Sequence, residues 1–222
     1  MTSADERASP AESGPSAARR LGIVALYVTS IVSLAAAPLL MPAGYSWVEH
    51  TTSESAAQGL DGAWLARIGF LAFGFAVISS ALTLRWWGAA ARATHVAFGA
   101  CMIAVAAFSS RPADPTLPYV ELEDLLHSAL ATAMGFAFAI GVAIVGWRRT
   151  RSGGRPTLLD IVAVAASVAI PLAMWAWGDW PGLAQRLMFA IAFAWYLKET
   201  LTARVGVAHD VVTWSRGVLP AR

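Results

Sequence analysis

The sequence predicts an all-α, polytopic membrane protein: a six-transmembrane-helix bundle with its N-terminus and C-terminus cytoplasmic. Three observations carry this reading. Hydrophobic residues make up 57% of the 222 and charged residues only 14%, where a soluble domain carries about a quarter charged residues. The apolar residues gather into stretches close to the roughly 20 that one bilayer crossing requires. Finally, if the N-terminus is cytoplasmic, six crossings leave thirteen of the sixteen Lys and Arg residues on the inner side. The opposite orientation reverses that ratio, against the positive-inside bias.

Taken in order, residues 1–18 are rich in Ser, Ala, Pro and acids. They lack apolar periodicity and read as a disordered tail. Arg19 and Arg20 precede the first span, 21–40. A cleaved signal peptide is the competing reading, but the apolar run is longer than a signal core and follows a long, partly acidic segment. The remaining spans are 62–84, 88–108, 118–147, 158–177 and 183–201. The fourth exceeds one bilayer thickness and is expected to project outward. Pro171 lies inside the fifth, whose start carries the capping spacing Thr157 to Asp160. The transmembrane domain therefore covers 19–201. The tail 202–222 is mildly amphipathic, with Val207, Val211 and Trp214 spaced for a short interfacial helix.

A pI near 9.0 raises the question of nucleic acid. The basic residues, however, fall in short clusters between apolar runs, the pattern of orientation signals, and nucleic acid is not an expected partner. The densest cluster, Arg148, Arg149, Arg151 and Arg155, reads as a topology signal that also suits contact with anionic lipid. Cys101 is the one cysteine, so no intrachain disulfide forms. Fifteen Arg to one Lys fits a GC-rich bacterial genome, and the cell (cytoplasmic) membrane is the expected location.

The polar chemistry gathers in 41–67, the predicted first outward loop and the start of the second span. Thr51 and Glu54 have capping-box spacing, with a short helix over 52–58 ending at Gly59. Asp61 is placed to cap the second span. Arg67 lies about 9 Å past Asp61 at the helical rise of 1.5 Å per residue. Within a leaflet it needs a partner, for which Glu54, Glu121 and Asp124 are the candidates. Asp124, His127, Ser128, Ala131 and Gly135 share one face of the fourth span, whose small residues suit close helix packing. Arg186 in the sixth span sits at nearly the depth of Arg67 in the second.

Pro42, Tyr45, Ser46, His50, Ser53, Glu54, Trp64 and Arg67, with His127, Gly182, Gln185 and Arg186, resemble an uncharacterised prokaryotic integral-membrane family. It is catalogued as domain of unknown function 998, and the resemblance covers roughly 21–201. It implies a multi-helix membrane protein and no particular activity, so no catalytic residue follows from it.

Three readings of the outward cluster stay open: His50, Ser53, Glu54, Trp64, Arg67, Glu121, Asp124, His127, Gln185 and Arg186. It is a structural ion-pair network locking helix ends, or a binding site for a polar or anionic ligand. Alternatively it is a membrane-embedded hydrolase acting on lipid at the outer surface, in which His50, Glu54, Asp124 and His127 are ligand types for a divalent metal. Whether the protein is an enzyme, and which cofactor it would use, does not follow from the sequence.

Overall fold

The computed structural model describes residues 16–203. The predicted disordered tail, apart from its last residues, and the predicted interfacial helix lie outside the described residues. Within them the chain forms six long helices: α1 (Ala17–Ala36), α2 (Ala63–Thr83), α3 (Gly88–Ala107), α4 (Glu121–Arg151), α5 (Leu158–Trp177) and α6 (Pro181–Thr202). Each lies close to its predicted span. A 3₁₀ turn, Ala37–Leu40, extends α1 as Pro38 interrupts the α-helical hydrogen bonding. The helices α1 to α5, the first and third with their flanking 3₁₀ turns, are long and apolar enough to cross a membrane.

Consecutive helices pack side by side, and α6 returns to α1, closing a ring. Arg20 on α1 donates to the carbonyls of Leu201 and Ala203 at the end of α6, so the start of α1 and the end of α6 lie at one end of the bundle. That end is called the terminal end here, and the opposite one the loop end. Aromatic rings fill the centre. Phe73 of α2 stacks on Phe193 of α6 at 4.3 Å between centroids and meets Phe98, Tyr27 and Tyr196 edge-on.

Two helix starts differ in how they are capped. Thr157 and Asp160 form the expected reciprocal capping box on α5, with the Thr157 N–H donating to Asp160 Oδ2 at 2.8 Å. The second expectation fails. Asp61 does not cap α2, whose N-cap is Gly62 with no side-chain bond. A Cβ on Gly62 would meet the Leu40 carbonyl at 2.5 Å, so close packing against the end of α1 fixes where α2 begins. The helix α5 runs through Pro171 and buries few residues, chiefly Asp160 and Ala163. Its outer surface shows Leu158, Ile161, Val168, Leu172 and Trp175, a face suited to hydrocarbon.

Candidate functional site

The loop 41–62 folds over the loop end and is held there by its own polar groups. The Thr51 N–H donates to Glu54 Oε2 at 2.5 Å while the Glu54 N–H donates to Thr51 Oγ1 at 3.2 Å, the capping box expected from the spacing. It opens a single 3₁₀ turn, Glu54–Ala56, instead of the longer helix predicted over 52–58. Gly59 takes the left-handed conformation (φ 73°) that ends the segment. His50 accepts the Ser46 N–H on Nδ1 at 3.0 Å and stacks on Tyr45.

Both arginines of this end bind backbone instead of the carboxylates that charge pairing suggested. Arg67 donates to the Ala56 carbonyl at 3.2 Å and the Ala57 carbonyl at 3.1 Å. Arg186 donates to the carbonyls of Trp47 and His50, at 2.7 and 2.8 Å, and to Tyr45 Oη at 2.8 Å. Its guanidinium also lies over the Trp47 ring, 4.8 Å from the centroid. The reason is local. A loop without regular structure presents unpaired carbonyls, and a guanidinium with five donors in a fork satisfies several at once. The carboxylates are engaged elsewhere or turned outward: Glu54 by Thr51, Asp124 by the Arg111 N–H at 2.9 Å, and Glu121 exposed.

Gln185 completes the clamp, accepting the Ser53 N–H at 3.2 Å and donating to Ser53 Oγ at 3.3 Å. Gly182 lets α6 approach the loop, since a Cβ there would press on the His50 carbonyl and lie 2.7 Å from that of Trp47. Trp64 points outward, about half exposed. The four metal-ligand candidates do not converge. His50 and Glu54 are used within the loop and Asp124 by Arg111. Among the described residues no group of three or more His, Cys, Asp or Glu side chains is placed to hold a metal.

Beneath this loop lies a cavity of about 440 Å³ enclosed by α2 to α6. Its walls are mostly apolar, with Phe70, Phe98, Met102, Met134 and Phe189 among them. Thr132 and Phe136 of α4, and Val168 and Pro171 of α5, line it and are also exposed, so it opens sideways between these helices. Polar groups meet it at the loop end: Ser53, Gln185 and His127. His127 is 4% exposed, its Nδ1 lies 2.8 Å from the Phe108 carbonyl, and its Nε2 has no partner. The face of α4 expected to pack closely lines this space instead. A Cβ added at Gly135 meets nothing within 4 Å.

A second polar cluster, at the terminal end, was not singled out by sequence reasoning. Arg149 forms ion pairs with Asp160 and Glu199, which are almost fully buried, and Lys198 reaches Glu199 at 3.1 Å. Trp195 donates to Asp160 Oδ1 at 2.8 Å and Trp87 to Glu199 Oε2 at 3.4 Å. Beside them the buried His95 stacks on Trp195, with Nδ1 2.8 Å from Tyr196 Oη. In the sequence Arg149 belongs, with its neighbours, to the cluster that reads as a topology signal. The available clue was Glu199, a lone acid on an otherwise apolar face of α6.

Comparison of the chain with the curated proteins and with the solved structures finds no match. The family described as "Protein of unknown function (DUF998)" matches residues 15–198, which contain the loop, the cavity and nearly all of both polar clusters, and the chain belongs to that family.

Proposed function

We propose that this is a bacterial cytoplasmic-membrane protein that takes one single-chain amphiphile from the bilayer into the cavity among α2 to α6. The tail lies along the Phe and Met side chains and the head group reaches His127. The observation that carries this is the cavity itself: about 440 Å³, apolar, open sideways, and closed at one end by a buried imidazole with a free nitrogen. That volume falls in the range of roughly 300–1,000 Å³ usual for small-molecule sites. Apolar space of this size forfeits dispersion contacts when left empty, so a hydrocarbon chain stabilises it.

In this reading α6 is the sixth crossing. Its 22 residues reach about 33 Å at 1.5 Å per residue. The terminal end, which carries Arg20, Arg85, Arg148, Arg149, Arg151, Arg155 and Lys198, faces the cytoplasm by the positive-inside bias. There Arg148 and Arg155 are exposed beside Trp86 around a shallow hollow, a setting for anionic lipid head groups. The arginine clamps at the opposite end have a structural role, holding the loop as a roof over the cavity. The binding reading is favoured over a metal-dependent hydrolase because the four ligand candidates do not gather.

Native mass spectrometry of protein released from membranes in mild detergent tests the reading. The expected result is one amphiphile adduct on the wild type, absent from a folded Gly135→Trp variant whose indole fills the cavity. An adduct retained at the same occupancy in that variant, or no adduct on the wild type, contradicts it.

A further inference from the structure

The loop-end groups carry the chemistry of the head group as well, and this step rests on the binding reading just given. His127 Nδ1 lies 2.8 Å from the Phe108 carbonyl oxygen. A carbonyl only accepts, so Nδ1 carries the proton in that contact. With that single ring proton, Nε2 is the lone-pair nitrogen of a side chain that lines the cavity. It is buried and has no donor among the described residues.

Ser53, which also lines the cavity, has complementary needs. Ser53 Oγ receives a hydrogen bond from Gln185 Nε2 at 3.3 Å, while Gln185 Oε1 is engaged by the Ser53 N–H. The Ser53 hydroxyl hydrogen is therefore left to donate. A ligand that gives a hydrogen to Nε2 and accepts one from Ser53 satisfies both, and a hydroxyl has both capacities.

Charge points the same way. The guanidinium groups of Arg67 and Arg186 are spent on backbone carbonyls and Tyr45. Neither is among the residues lining the cavity, whose lining contains no Lys or Arg. A carboxylate or phosphate head would meet the His127 lone pair without a cation to offset its desolvation. We infer that the cavity is a site for a neutral long-chain alcohol, its hydroxyl donating to His127 Nε2 with Ser53 as the donor to its oxygen.

Saturable binding of radiolabelled 1-tetradecanol to the full-length protein in nanodiscs tests this, with 1-methoxytetradecane and myristate as competitors. The ether has the same chain and no hydrogen to donate. The wild type is expected to bind the alcohol about tenfold more tightly than the ether, the worth of one buried hydrogen bond, and to prefer it to myristate. His127→Phe is expected to bind alcohol and ether equally, with the ether affinity kept. Equal binding of alcohol and ether by the wild type, or a preference for myristate, overturns the hydroxyl assignment and leaves the cavity reading standing. Failure of all three compounds to bind overturns both.

Discussion

The two ends of α4 hold opposite solutions to the problem of a polar group inside an apolar bundle. At the terminal end Arg149 lies between two buried carboxylates, two indoles support those acids, and the small residue nearby is pressed by its neighbours. A Cβ on Gly141 would lie 2.6–2.8 Å from the His95 ring and Thr94 Oγ1. At the loop end His127 makes one bond, keeps a free nitrogen, and looks along a helix face where Gly135 has open space. The first arrangement pairs Arg149 with Asp160 and Glu199 and locks helices α4, α5 and α6 together, while Nε2 of the adjacent His95 is also without a partner but in packed surroundings. The second leaves room and an unmet acceptor, which a rigid scaffold tolerates where a ligand completes it. Buried charge in this chain therefore marks the lock, and the sparse polar end of an apolar cavity marks the proposed site.

Breaking the lock is expected to have the largest effect. Arg149→Met strands Asp160 and Glu199 without their guanidinium, and loss of one partner of a buried pair costs about 3–5 kcal/mol. Thermal unfolding in nanodiscs is expected to show a large drop in midpoint. Adding Glu199→Leu is expected to recover part of it, because one stranded carboxylate is then gone. Strictly additive losses would mean that the ion pair is not what holds these helices.

A smaller effect of opposite sign at the two ends sharpens the contrast. Gly141→Ala drives a methyl into His95, and overpacking of this kind costs about 1–3 kcal/mol. Gly135→Ala meets nothing, and replacing a helix-interior glycine by alanine gains up to about 1 kcal/mol. The same unfolding assay is expected to rank Gly135→Ala above wild type and Gly141→Ala below it. A loss at Gly135 as large as that at Gly141 would show the loop end to be packed, not open.

Helix positions were legible because hydrocarbon is an unforgiving solvent: a run of apolar residues near bilayer length has few other uses. The Thr51–Glu54 and Thr157–Asp160 boxes were legible because three-residue spacing alone brings those groups together. Partner choice was not. Arg67 and Arg186 looked like charges in need of carboxylates, yet the nearest unmet acceptors were loop carbonyls, which carry no sequence signature. The α4 face from His127 to Gly135 reads equally as a packing seam and as a cavity wall. What distinguishes them is the distance to α5 and α6, set by tertiary packing. The Arg149–Asp160–Glu199 network was hidden because its members lie 11 and 39 residues apart along the chain and each looked like an ordinary helix-end charge.

The most direct measurement is photolabelling in nanodiscs with a tetradecanol carrying a diazirine on its chain, followed by mapping of the crosslinked residues. The labels are expected on the cavity-facing stretches of α4 and α5, around Thr132 to Phe136 and Val168 to Pro171, with excess unlabelled 1-tetradecanol suppressing them. Labels spread evenly over the exposed apolar faces of all the helices, and indifferent to competitor, would contradict it.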